Sequence, residues 1–316
     1  MPSKTKKKST KAASSSSSSS GQTHDVQAIL ERGANYLHSN QPELAKQFLE
    51  RVVQLSPDNT EALDLLGETY VDLGEYEHAK QAFQRSVDLA PDEAGTKWMF
   101  LGQMSTGHDA LQMYERGCEL LQREVSNPLR LKQLSKAKVA IAELFLTDLC
   151  MEEKAEQKCE LAVSQAEQLD PESIEAAQTK ASMRLSQCRP DDARACILPV
   201  ADRLLATRFE DREQPFEFCV QTCRLLVELG EVQKAVELLE ALLKEDDENV
   251  EVWILLGHCH MESEAKEVAL ECWERAEDLL EAFLQADPTD ELFQAQLQHV
   301  RELMRQTGSP ADVDLE

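Results

Sequence analysis

No apolar run in these 316 residues approaches the roughly 18 residues of a membrane-spanning helix, so no span is expected. The N-terminus also lacks an apolar stretch, which argues against secretion. Phosphate loops of the GxxxxGK[ST] kind, GxGxxG, HExxH and GxSxG are all missing. These absences predict a protein that is not an enzyme and needs no cofactor. Nine cysteines form an odd set with no disulfide-like framework, as expected in a reducing compartment. Basic residues are scarce: 33 Lys and Arg stand against 59 Asp and Glu, a net charge of -26. Such an excess repels nucleic-acid phosphate and anionic lipid, and it raises association rates with basic partners.

What positive charge there is gathers at the start. Residues 1–24 hold Lys4, Lys6, Lys7, Lys8 and Lys11 before a serine run, Ser14 to Ser20, and contain no acidic residue. With nothing to bury, this segment reads as a disordered tail. The cluster Lys4, Lys6, Lys7 and Lys8 is a candidate nuclear import signal, which would place the protein in both cytoplasm and nucleus. A short solvated end is the plainer reading of the same lysines.

From residue 25 the chain repeats itself at a spacing of 34. Gly33 pairs with Gly67, Tyr36 with Tyr70, Ala45 with Ala79, Lys46 with Lys80, Arg51 with Arg85 and Pro57 with Pro91. Small residues at the eighth and twentieth places let two helices approach, large ones at 4, 7, 11 and 24 fill the space, and the proline ends the second helix. This pattern resembles the tetratricopeptide repeat. The implied fold is all-α, a superhelix over 25–289 of about seven helical pairs, with a capping helix over 290–306 and an acidic tail over 307–316. Unit three reaches Ala110 and Tyr114 some three residues early, predicting a shortened turn. Unit four, about 137–171, fits worst and predicts a lengthened first helix or turn. The polar stretch 206–215 is a candidate bend.

Cys219, Cys223, His258, Cys259 and His260 look like a metal cluster, but they fall at or beside packing places of the repeat. The core reading is preferred, and no metal is expected. Trp98, Trp253 and Trp273 occupy packing places as well.

In stacked pairs the first helix lines the concave side, through places 2, 5, 9, 12 and 13. Those places hold Glu61, Asp64, Glu68 and Asp72 in unit two, Glu175 in unit five, Glu217 and Glu228 in unit six, and Glu251 and Glu262 in unit seven. Leu30, Met99, Gln103, Gln178, Val220, Ile254 and Met261 alternate with them, and Arg224 and His258 interrupt the negative charge. Glu143 and Asp148 join the set only if unit four keeps register. An acidic groove with apolar patches suits an extended basic protein segment. Repeat domains that clamp the acidic tails of heat-shock chaperones need Lys, Asn and Arg at places that here hold Leu30, Ala34, Leu65, Thr96 and Phe100, so an acidic ligand is not expected.

Residues 95–117 (GTKWMFLGQMSTGHDALQMYERG), 142–160 (AELFLTDLCMEEKAEQKCE) and 182–195 (SMRLSQCRPDDARA) resemble the dedicated assembly chaperones of the large-subunit ribosomal protein uL4. That resemblance implies a protein that holds the basic internal loop of newly made uL4 and keeps it soluble until it joins pre-60S ribosomes; a monomer is expected. The rival from another class is a general scaffold joining folded partners. The scaffold would bind several partners with little dependence on salt.

Overall fold

The computed structural model describes residues 19–124 and 127–308, with side chains over 25–123 and 127–307. Lys4, Lys6, Lys7 and Lys8 lie outside them. Fifteen α-helices and no strand occur among the described residues. The chain divides into two compact units, the first ending at Glu152 and the second beginning at Glu153.

The first unit holds α1 (Ser19–His38), α2 (Pro42–Leu55), α3 (Thr60–Asp72), α4 (Tyr76–Leu89), α5 (Gly95–Gln103), α6 (Gly107–Leu121) and α7 (Pro128–Leu146). The second holds α8 (Ala155–Leu169), α9 (Ile174–Ser186), α10 (Pro190–Ala206), α11 (Phe216–Glu228), α12 (Val232–Leu242), α13 (Val250–Glu262), α14 (Lys266–Ala286) and α15 (Glu291–Gly308). Helix starts follow local chemistry. Asn59, Ser173 and Asn249 each accept the backbone N–H three residues on with a side-chain oxygen, capping α3, α9 and α13. Helices α2 and α4 stop at Leu55 and Leu89, two residues before Pro57 and Pro91.

The repeat seams bear out the spacing argument. A Cβ on Gly67 would lie 2.6 Å from Phe83 Cζ, one on Gly33 2.7 Å from Leu49 Cγ, and one on Gly257 inside the indole of Trp273. Phe83, Leu49 and Trp273 are buried, so the missing side chain at place eight is the space that place 24 fills. A second repeated contact joins neighbouring pairs. Lys46 of α2 reaches Glu75 before α4 at 2.7 Å, and Arg194 of α10, also next to the place-20 alanine, reaches Glu231 before α12.

Several expectations need correction. Residues 19–24, assigned to the disordered tail, are the opening turns of α1. The last helix extends to Gly308, past the expected boundary at 306. Unit three keeps a three-residue turn, 104–106, like 73–75 before it. Its first helix is what shrinks, to 9 residues in α5 against 13 in α3. Unit four does have a long first helix, the 19-residue α7, and the division of the chain falls inside its expected span. The stretch 206–215 contains a short 3-10 turn, Phe209–Asp211, and is pinned where the nearly buried Arg212 grips both carboxylate oxygens of Glu245 at 2.8 Å.

Candidate partner-binding faces

In the first unit, Asp64, Glu68 and Asp72 stand at i, i+4 and i+8 on α3, one carboxylate above the next on a single face. None of the three forms an ion pair among the described residues. All three carboxyls are held above the ordinary carboxylate range. Burial is the leading cause in each, and for Glu68 the charges of Asp64 and Asp72 add to it while His38 opposes it. Glu61 is exposed at the start of the same helix.

Asp64 is less open than its place in the repeat suggests. It hydrogen-bonds Ser86 and lies near Lys97, a lysine only 1% exposed whose Nζ donates to the carbonyl and Oγ of Ser86, both at 3.2 Å. One Asp64 carboxylate oxygen is buried without a hydrogen-bond partner. Asp64 is therefore partly a counter-charge for a buried cation; Glu68 is half-buried as Asp64 is, and of the three only Asp72 is exposed. No sequence signal distinguished Lys97 from a solvated lysine.

In the second unit the first helices of successive pairs touch one another. Gln178 of α9 donates to Phe218 O at 2.9 Å and Thr222 Oγ1 at 2.7 Å on α11. Arg224 of α11 bonds Glu251 of α13 and lies 3.9 Å from Glu217 on its own helix. Glu175 accepts from Ser173 at 3.1 Å and from Gln214 at 3.2 Å. Glu228 and Glu262 are exposed at the ends of α11 and α13. Three of the five acids expected on this face are thus already held by side chains of the same unit.

The neutral residues of the expected set sort differently. Leu30 and Val220 are 1% exposed and belong to the core, and Gln178 is buried in its hydrogen bonds to α11. Met99 packs beside Gly117, and Ile254 and Met261 pack partly against the core of α13–α15. Only Gln103 is exposed. Of the two acids of unit four, Asp148 is engaged, accepting the Gly107 N–H at 2.8 Å at the start of α6. Glu143 is exposed.

Cys219, Cys223 and Cys259 are fully buried in one apolar cluster with Leu226, Leu238 and Val252. Burial pushes the thiols of Cys219 and Cys259 up to about 11 and Cys223 higher still, the reverse of an activated thiolate. His258 stands edge-on to Trp273, ring centroids 5.6 Å apart, with its pKa lowered first by burial and then by His299. Trp98 and Trp253 donate their indole N–H to the carbonyls of Pro91 and Asp247 in the preceding turns, as packing residues do.

Stacked helix pairs with glycine-to-aromatic seams, presenting charged first-helix faces, define a tetratricopeptide-repeat protein, and the model of that family matches residues 36–95 and 226–299. A protein from Emericella nidulans named as a probable assembly chaperone of rpl4 is 34% identical over 273 residues, covering 81% of this chain and 70% of its own. A protein of the same name from Schizosaccharomyces pombe is 36% identical over 176 residues, covering 53% of this chain, so the match spans about half of that relative's length, 52%. The solved structure of the assembly chaperone of RpL4, Acl4, superposes with a TM-score of 0.69 at 28% identity, over 77% of this chain and 98% of that one. A tetratricopeptide repeat protein from Parabacteroides merdae shares the fold alone, with a TM-score of 0.56 at 13% identity over 88% of this chain and 99% of its own. The chain belongs to the family of assembly chaperones of rpl4.

Proposed function

We propose that this protein is an assembly chaperone of the large-subunit ribosomal protein uL4, the rpl4 of its relatives, and that it binds the client's basic internal loop on its acidic first-helix faces. The observation that carries the reading is the column Asp64, Glu68 and Asp72, three carboxylates on one face of which only Asp64 has a permanent cation near it, the buried Lys97. Ionising them side by side is costly, and Lys or Arg side chains brought by a client relieve that cost. A ribosomal segment shaped to lie against RNA is cationic and unfolded without it, and so needs such a mask. The action is stoichiometric binding by a monomer, with no catalysis and no direct hold on nucleic acid. The protein works in cytoplasm and nucleus, with Lys4, Lys6, Lys7 and Lys8 as the import signal.

The test is calorimetric titration of the full chain with the uL4 loop at two salt concentrations, beside a scrambled loop of identical charge. Tight, salt-sensitive binding of the native loop alone supports a dedicated client. Equal binding of both loops would reduce the faces to a nonspecific polyanion and favour the general scaffold.

A further inference from the structure

The two acidic faces differ in one respect that residue type alone conceals. On α3 the carboxylates have no surface cation bonded to them, since Glu68 and Asp72 form no ion pair among the described residues and Asp64 has only the buried Lys97 nearby. On α11 and α13 they have one: Arg224 Nε binds Glu251 Oε1, its Nη1 lies 3.9 Å from Glu217 Oε1, and Gln221 holds that same Glu217 oxygen at 3.1 Å. Glu217, Gln221, Arg224 and Glu228 follow one another at i, i+4, i+7 and i+11, along one stripe of α11.

We infer that Arg224 is an internal competitor for basic ligands: its guanidinium occupies Glu217 and Glu251 in place of a client's cation and so sets how strongly, and how selectively, the second unit accepts basic segments. The chemistry is well matched to displacement. A guanidinium fork fits a carboxylate in the way an incoming Arg would. The pair sits at the surface, with side chains 41% exposed for Arg224 and 30% for Glu251, where an ion pair contributes little and exchanges readily. A ligand that offers only scattered charge gains little here, because it must displace one cation to place another. A ligand whose other contacts hold it in register can complete the exchange. Arg224 is thus a specificity-determining residue rather than an anchor. This inference rests on the reading of the acidic faces as docks for a basic client.

The test uses the full chain, an oligolysine peptide of about ten residues and fluorescence anisotropy at about 50 mM and about 300 mM salt. Arg224→Gln is expected to tighten oligolysine binding about three- to fivefold at the lower salt, with the gain largely gone at the higher. Lys244→Gln changes net charge equally, from an exposed residue just beyond α12, and is expected to shift binding less than twofold. Adding Glu217→Gln and Glu251→Gln to Arg224→Gln is expected to abolish the gain. Equal effects of Arg224→Gln and Lys244→Gln would overturn the inference, as would a gain that survives the triple substitution. Because oligolysine is the probe, the outcome stands apart from uL4. A gain with oligolysine beside no binding of the uL4 loop by the unaltered protein would keep Arg224's role and sink the proposed client.

Discussion

The ring of Phe83 in α4 occupies the space where Gly67 of α3 would carry its side chain, with Cζ 2.6 Å from an ideal Cβ. Phe83 cannot retreat, because it is fully buried and stacked on Phe100, ring centroids 4.8 Å apart and planes within 7°. Gly67→Ala gains about 1 kcal/mol of helix propensity but, with Phe83 held in place, forces overpacking at the upper end of its usual range, about 2–3 kcal/mol, so a net loss of about 1–2 kcal/mol is expected. Urea denaturation measures it. Adding Phe83→Leu should return part of the loss, and a single substitution as stable as the parent would show that the seam has slack.

This seam was legible because it uses residue types that few other demands produce: glycine inside a helix, and an aromatic sixteen places later. The inner face was less legible. Places 2, 5, 9, 12 and 13 fall on the first helices of the pairs, but a place does not say which acids already have partners. Arg224 lies seven residues from Glu217 yet 27 from Glu251, and Lys97 meets Ser86 across 11 residues of turn and helix. Shortening of α5 rather than its turn was hidden for a related reason. Spacing records the total length of helix and loop and not its division.

Lys97 gives a second measurable consequence. Its ammonium is buried on Ser86, and its charge favours the ionised form of nearby Asp64. Lys97→Met therefore leaves Asp64 with burial and no compensating cation, which should cost about 1–3 kcal/mol and raise the Asp64 carboxyl further. Asp64→Asn in the same chain should recover most of the loss. Chemical denaturation of the two single variants and the double variant gives the coupling energy. Purely additive losses would show that Lys97 and Asp64 act independently.

The cysteines separate by accessibility. Cys150 and Cys188 are exposed, while Cys118, Cys219, Cys223, Cys259 and Cys272 are buried with thiol pKa values raised first by burial, to about 11 for all but Cys223, which goes higher. Iodoacetamide at about pH 8 should label Cys150 and Cys188 within minutes and the six buried thiols, Cys159 included, only after denaturation. Peptide mass spectrometry reads this directly. Rapid native labelling of Cys259 would contradict its place in the core.

The α3 column sets stability against binding. Asp64, Glu68 and Asp72 hold their protons more tightly folded than unfolded, so their ionisation opposes folding. The opposition is absent below about pH 4, where the unfolded chain's carboxyls are protonated too. It grows as pH rises through the unfolded and then the raised folded values, and is complete above the latter. Glu68 repels a neighbour on either side, and two like-charge i, i+4 pairs amount to about 0.5–1 kcal/mol. Glu68→Gln is therefore expected to stabilise the protein by about that much near pH 7 and by nothing near pH 4, while weakening its hold on the basic loop of uL4. Client binding should also release protons, because incoming cations lower the same carboxyls, so affinity falls as pH drops from 7 towards 5. Thermal melts across pH and calorimetry in two buffers of different ionisation heat test both halves. A destabilised Glu68→Gln protein, or binding without proton release, would show that the column is not held in reserve for a cationic partner.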